Sequence, residues 1–146
     1  MQQIVYRPEL MRSSIIGCMQ GNCPRAQHCL RYLDYQHSEV GLSLELLDPR
    51  LPVGEQCIHY LSAEPLSLGW GLRRVRALVP YGATTLLQTR IREALGCGRT
   101  AYYHYVSGRW SLKPEQQRLV AQIFADLGVS SEALCDAYEE GYDLTY

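Results

Sequence analysis

The sequence predicts a mainly α protein, with a small cysteine-rich, metal-stapled N-terminal subdomain and a C-terminal helical domain of the helix-turn-helix type. Three observations support this fold class. Four of the six cysteines precede residue 60, apolar residues follow a helical period after Tyr81, and basic residues are concentrated in 73–118. We expect the subdomain to span 1–63, a connector 64–80 and the helical domain 81–146.

The length and composition are those of an ordinary globular protein. A chain of 146 residues can bury one domain core or two small ones, and 47% hydrophobic with 20% charged residues is typical of soluble proteins. No apolar run approaches the roughly 20 residues of a membrane helix. The N-terminus also lacks the layout of a signal peptide. We therefore expect no membrane partner and a cytoplasmic location.

The N-terminal half contains few regular elements. A short helix is predicted over Pro24–Tyr35, because a proline is tolerated in the first helical turn. Two β-tolerant runs, Leu42–Asp48 and Cys57–Ala63, are compatible with a short β-hairpin. Turn residues dominate the segment that follows, which is why we interpret it as a connector.

The C-terminal half predicts four helices with local start and stop signals. The first ends before Gly96, the second spans Arg99–Val106, and the third runs from Pro114 to a stop at Gly128. A fourth helix, capped by Ser131, is predicted over the run SEALCDAYEEGY.

The cysteines of the N-terminal half have the spacing C-x4-C-x5-C-x27-C. In a reducing compartment such a cluster more often binds metal than forms disulfides. Four thiolates can close a tetrahedral zinc site or hold an iron–sulfur cluster, and His28 or His59 could replace one of them. We expect zinc as a structural staple, with an iron–sulfur cluster as the alternative. The predicted metal ligands are Cys18, Cys23, Cys29 and Cys57.

Charge is unevenly distributed along a chain whose net charge is −1. Residues 73–118 hold nine basic and two acidic side chains, whereas 119–146 hold six acidic and no basic ones. A basic block of this kind indicates a surface for a polyanion. The alternative is a solvated basic face that pairs with the acidic tail.

The run IREALGCGRTAYYHYVSGRWSLKPEQQRLVAQIFADLGVSSEAL resembles the helix-turn-helix of phage-repressor and Xre-type regulators, and the resemblance extends from Val79 to Tyr138. It implies that a recognition helix begins at Arg99 and that the partner is double-stranded DNA. It is also compatible with a homodimer on paired half-sites. The residues that it implies for DNA binding are Arg99, Thr100, Tyr102, Tyr103, His104, Arg109 and Lys113.

The tyrosine-rich stretch AYYHY departs from that family, whose recognition helices carry few aromatic residues. About half of so short a helix must pack inward. We expect Ala101 and Tyr105 to face the core as an i, i+4 pair, and Tyr103 and His104 to face outward. Tyr102 is compatible with either side.

The whole chain, with C-x4-C-x5-CLRY at its front and the tyrosine-rich helices behind, resembles an uncharacterised domain-of-unknown-function family of anaerobic bacteria. It contains no P-loop, G-x-G-x-x-G, H-E-x-x-H or G-x-S-x-G motif, so we do not expect an enzyme. The hypothesis is a DNA-binding transcription regulator with a metal site formed by four cysteines. The alternatives are a metal-stapled protein-interaction adaptor and a small iron–sulfur redox protein.

Overall fold

The structure, a computed structural model, describes residues 4–41, 43–55, 57–130 and 132–144. It divides into two compact units. The first unit comprises Met1–Pro65 and Gly141–Tyr146, and the second comprises Leu66–Glu140.

The first unit is rich in loops and has a small apolar core. Its helices are two 3-10 turns, Pro8–Leu10 and Ala26–His28, followed by α1, Leu30–His37. Single β-bridges tie its loops together, between Gly17 and Leu46 and between Cys29 and Ser62. The buried core residues are Tyr6, Leu30, Leu33, Leu61, Ala63 and Tyr142.

The second unit combines helices with a three-stranded sheet. Strand β1, Leu66–Trp70, pairs antiparallel with β2, Ser111–Leu112, so that Gly69 lies opposite Leu112. Strand β1 is the central strand in the order β2-β1-β3, where β3 is Ala137–Gly141. The elements in chain order are β1 Leu66–Trp70, α2 Arg73–Arg76, the 3-10 turn Tyr81–Ala83, α3 Thr84–Leu95, α4 Arg99–Ser107, β2 Ser111–Leu112, α5 Pro114–Asp126 and β3 Ala137–Gly141.

The three long helices of this unit end where the local signals predict. Gly96 and Gly108 adopt left-handed backbone conformations, with φ of 61° and 83°, and terminate α3 and α4. Pro114 opens α5, and the Gln116 side chain accepts the Lys113 backbone N–H at 3.0 Å. The helices contribute to one core through Leu87, Ile91, Tyr102, Val106, Val120, Ile123 and Phe124.

The predicted fold class, mainly α with a metal-stapled N-terminal subdomain, is wrong. The protein is mixed α/β, because part of the expected connector forms β1 and α2, and part of the predicted fourth helix forms β3. Ser131, the predicted cap of that helix, lies outside the described residues. Within the described ranges, no three histidine, cysteine, aspartate or glutamate side chains are placed to hold one metal ion. The first unit packs instead around its own apolar core.

The predicted β-hairpin of the N-terminal half is also wrong. Among the described residues of the two runs, Leu46 pairs with Gly17 and Ser62 pairs with Cys29, so these residues bridge to other segments and not to each other. Leu42, the first residue of one run, lies outside the described part of the chain. The predicted N-terminal helix is divided into a 3-10 turn and the later α1. None of the helices in the described residues is long and apolar enough to cross a membrane.

Candidate functional site

Helices α3 and α4 are joined by a tight turn of three residues, Gly96-Cys97-Gly98. The left-handed Gly96 lets the Cys97 N–H return to the carbonyl oxygen of Arg92 at 3.0 Å, which closes the end of α3. Gly98 then adopts an extended conformation immediately before α4. Helices α3 and α4 are therefore consecutive helices joined by a closed three-residue turn.

Helix α4 buries one side and exposes the other. Tyr102 is completely buried and Val106 is 5% exposed, so these two residues form the inward i, i+4 pair. Arg99 and Thr100 are exposed, and Tyr103 retains 39% of its surface. The exposed face therefore begins at the first turn of the helix.

The expected inward pair, Ala101 and Tyr105, is only half-buried. Tyr102 lies in the core, where burial raises the pKa of its hydroxyl against the opposing effect of Arg76. A side chain with no exposed surface cannot touch a ligand outside the fold. Tyr102 is therefore not available as a DNA-contacting residue.

The remaining predicted contact residues differ in exposure. Arg109 is exposed directly after α4, whereas Lys113 is half-buried at the start of α5. The His104 ring is half-buried and packs 4.7 Å from the ring of Trp110, and the His104 carbonyl accepts the N–H groups of Arg109 and Trp110. His104 therefore contributes to the end of α4 as well as to its surface.

One arginine of α2 and one of α4 lie beside the exposed ring of Tyr103. The guanidinium carbon of Arg76 is 5.9 Å from the Tyr103 ring centroid, and that of Arg99 is 6.0 Å from the same centroid. Cation–π attraction operates at such distances and orients both side chains. A surface groove here, which we call the arginine–tyrosine groove, is lined by Arg73, Arg76, Tyr81, Thr84, Tyr103 and Ser107 among others.

Arg73 and Arg76 are not among the residues that the sequence predicts for DNA binding, because their segment has the composition of a connector. The basic block that begins at Arg73 was the signal that could have included them. Their helix is held by a distant residue: the two Asp136 carboxylate oxygens accept the backbone N–H groups of Arg73 and Arg74, each at 3.0 Å. Arg74 also donates to the carbonyl oxygen of Cys135, so its guanidinium group makes a hydrogen bond within the second unit.

The four N-terminal cysteines line one small pocket of the first unit, which we call the thiol pocket. Its cavity is about 30 Å³, and its wall is almost entirely apolar. All four thiol-bearing residues are half-buried, and all are free cysteines. The lining residues include Cys18, Cys23, Cys29, Cys57, His59, Arg25, Arg31 and Tyr60.

Two arginines form part of the thiol pocket. Arg31 is 3% exposed and donates to the carbonyl oxygens of His59 and Ile16, both at 2.7 Å. Arg25 lies 3.9 Å above the Tyr60 ring and donates to the Gly54 carbonyl oxygen at 2.7 Å. The Nε atom of Arg25 is buried and has no hydrogen-bond acceptor among the described residues.

A backbone N–H already points at one thiol. Gly54 donates to the Cys23 sulfur at 3.3 Å, and the same loop is held by the Cys57 N–H, which donates to the Gly54 oxygen. The two cysteines of the second unit are elsewhere: Cys97 is in the α3–α4 turn and Cys135 is buried in the core. Burial raises the pKa of both thiols, and Arg92 partly opposes the effect at Cys97.

The fold and these two sites define a two-unit α/β protein with a surface groove beside α4 in one unit and a thiol-lined pocket in the other. The chain belongs to a family of unknown function, DUF6078, whose model matches residues 2–144. This confirms the expected resemblance to an uncharacterised family, while the resemblance to phage-repressor and Xre-type regulators stays a prediction. No curated protein and no solved structure matches the chain significantly.

Proposed function

We propose that the protein binds double-stranded DNA through the exposed face of α4. The observation that carries this proposal is the first turn of α4, where Arg99 and Thr100 are exposed directly after a tight glycine turn. In helix-turn-helix proteins the N-terminal residues of the second helix reach base edges in the major groove. Arg99 is the side chain suited to a bidentate contact with guanine.

Arginines around α4 supply the phosphate contacts in this proposal. Arg73 and Arg76 flank it on the side of the arginine–tyrosine groove, and Arg109 follows its C-terminal end. Phosphate contacts fix the register of a protein on the duplex without reading its sequence. Tyr103 orients Arg76 and Arg99, and its hydroxyl suits a phosphate oxygen.

The test is binding of the full-length protein to fluorescent duplex DNA, first selected from a random pool and then measured by anisotropy at several salt concentrations. About three to four phosphate contacts predict a slope of log K against log salt of roughly −3 to −4. Binding that is absent, or that is unaffected by salt, contradicts the proposal and favours a protein partner for the same helices.

Three substitutions separate the assigned roles. Arg99→Ala should cost about 1–3 kcal/mol on the selected duplex and relax its sequence preference, whereas Arg73→Ala should lower the salt slope by about 1 on every duplex. The matched control is Arg118→Ala, which removes an exposed arginine from α5. Equal losses in all three variants would reveal a non-specific charge effect and would overturn the assignment of α4.

A further inference from the structure

We propose that the arginine–tyrosine groove is a binding site for a single ribonucleoside monophosphate, a small anion that combines an aromatic base, a sugar with hydroxyl groups and a phosphate. The groove lies wholly in the second unit, because every residue that lines it falls between Arg73 and Ser107. Its arginines are also those that the proposed function assigns to DNA phosphates. If that function holds, a bound nucleotide displaces duplex DNA; the site itself does not depend on it.

The size of the groove suits a small organic ligand. Its volume is about 830 Å³, and sites for small molecules typically measure roughly 300–1,000 Å³. Val79 and Val106 line it and are only 7% and 5% exposed, so its deepest part is apolar. An apolar base with a few polar groups around it is typical of small-molecule sites. A phosphate group alone would leave this apolar surface uncovered.

Two arginines of α2 provide the anion-binding end of the groove. Arg73 and Arg76 are three residues apart on the helix, so their side chains lie on the same side. Neither pairs with a carboxylate among the described residues, and no described residue of the groove wall is acidic. The Asp136 carboxylate at the start of α2 accepts backbone N–H groups. A phosphate monoester carries close to two negative charges at neutral pH, which two guanidinium groups match.

Two exposed tyrosine rings provide surfaces on which a base can stack. Tyr81 is 96% exposed and Tyr103 is 39% exposed, and both line the groove. Stacking on a tyrosine ring is available to every base, because each base has a π face. The guanidinium carbon of Arg76 lies 5.9 Å from the Tyr103 ring centroid. The surface for the base is therefore adjacent to the charge for the phosphate.

Two hydroxyl groups in the wall are placed to accept hydrogen bonds from a ligand. Thr84 Oγ1 donates to the Tyr81 carbonyl oxygen at 3.0 Å, and Ser107 Oγ donates to the His104 carbonyl oxygen at 3.2 Å. Because each hydroxyl has a single proton, only its lone pairs remain for a ligand. A ribose hydroxyl can donate to such an acceptor, whereas an ionised phosphate oxygen cannot. These residues therefore favour the sugar over a second phosphate, which is why we expect a monophosphate.

The test is isothermal titration calorimetry of the full-length protein with adenosine 5′-monophosphate in the absence of DNA. We expect one nucleotide per chain, with adenosine and inorganic phosphate each binding roughly tenfold more weakly or worse, since each lacks part of the recognised chemistry. No binding of the monophosphate overturns the proposal. Inorganic phosphate that binds as tightly overturns the role of the rings, and adenosine that binds as tightly overturns the role of the arginines.

Two variants and a control distinguish this site from the DNA-binding face of α4. Tyr81→Ala should weaken nucleotide binding roughly 5–150-fold, the value of one lost stacking contact, and leave duplex affinity unchanged. Arg99→Ala should weaken duplex binding and keep nucleotide affinity, because Arg99 does not line the groove. The matched control, Arg118→Ala, should change neither. Full nucleotide affinity in Tyr81→Ala overturns the stacking site.

The two proposals fail separately in these measurements. A protein that binds the nucleotide but no duplex supports the groove as a nucleotide site and refutes only the proposed function. A protein that binds duplex DNA but no nucleotide refutes only this inference.

Discussion

A single residue, Tyr6, connects distant parts of the first unit. Its hydroxyl donates to the Asp34 carboxylate at 2.6 Å, and its ring is parallel to that of Tyr142 with centroids 6.4 Å apart. Burial, and next the hydrogen bond to Asp34, raise the pKa of Tyr6 far above its ordinary value of 10.0. The protonated hydroxyl therefore stabilises the folded state.

Because the pKa of Tyr6 is raised, we expect the folded state to lose stability in alkaline solution, and the Tyr6→Phe variant measures this contribution. Because the folded pKa lies above the unfolded one, the contribution is complete below pH 10 and is lost as the pH rises beyond it. Tyr6→Phe should lower the free energy of unfolding by about 1.5–3 kcal/mol at pH 7, the value of a hydrogen bond to a charged group. In urea titrations the gap to wild type should narrow above pH 10.

The control is Tyr81→Phe, since Tyr81 is 96% exposed. It should leave stability unchanged at every pH. A gap for Tyr6→Phe that stays constant into alkaline solution would contradict the assigned role of the Asp34 hydrogen bond.

The faces of the tyrosine-rich helix show how far single residues could be predicted. The exposure of Tyr103 follows from the sequence pattern, but Tyr102 was left open and Tyr105 was expected to be the inward residue. Tyrosine and alanine tolerate both environments, so a helix with aromatic residues on all sides has no clear apolar stripe. The buried pair Tyr102 and Val106 is decided by the packing of α4 against α3 and β1, which the local sequence does not encode.

The N-terminal end of helix α2 is capped by a residue about sixty positions further along the chain. Its own N-terminal residue offers no side-chain cap, and Asp136 accepts the N–H groups of Arg73 and Arg74 instead. Gly71 makes room for this carboxylate: a Cβ there would lie 2.6 Å from the Asp136 oxygen, and its φ of 82° is itself unfavourable for other residues.

Removal of this cap should affect both stability and the arginine–tyrosine groove. Asp136→Ala should cost about 1–2 kcal/mol in thermal or urea unfolding, the usual value of a lost cap. Asp126→Ala is the matched control, because that carboxylate lies on the exposed side of α5 and accepts from Gln122. If duplex DNA is the ligand, Asp136→Ala should also weaken binding, since α2 carries Arg73 and Arg76. Equal stability of the two variants would contradict the capping role.

The elements that could be predicted are those with local signals. Helices α3, α4 and α5 each have a glycine or a proline at one end or both, and all three were predicted from the sequence. The strands were not predicted, because β1 is recognisable only through its pairing with residues about forty positions away, as Gly69 pairs with Leu112. Part of the predicted fourth helix, Ala137–Gly141, forms β3 of the same sheet instead.

Each of the two units of the protein has its own apolar core. Every buried residue of the second core lies between Leu72 and Cys135, whereas the first core needs both Tyr6 and Tyr142. The placement of the four cysteines around one pocket was foreseeable from their spacing. The sequence does not predict that Tyr142 packs in the core of the first unit, because its neighbours Glu139 and Glu140 are polar and the segment resembles a solvated tail.

This arrangement predicts different effects of truncation on the two units. A chain that stops after Glu140 lacks Tyr142, whose hydroxyl accepts the Arg7 N–H at 2.9 Å. Amide hydrogen exchange should lose protection over α1 and the loops that surround it, while α3–α5 remain protected. Tyr142→Phe is the milder control, which keeps the ring and removes the hydroxyl. Undiminished protection of α1 in the truncated chain would contradict the role of Tyr142 in the first core.

The return of the chain to its first unit also sets the order of events during synthesis on the ribosome. At translation rates of about 5–20 residues per second, Tyr142 emerges on the order of 4–15 s after the segment that ends at Pro65. The core residues of the second unit, from Leu72 to Cys135, are all synthesised within that interval, before Tyr142. The part of the protein that is made first is therefore the part that is finished last, and a nascent chain paused before residue 142 exposes an incomplete apolar core to chaperones and proteases.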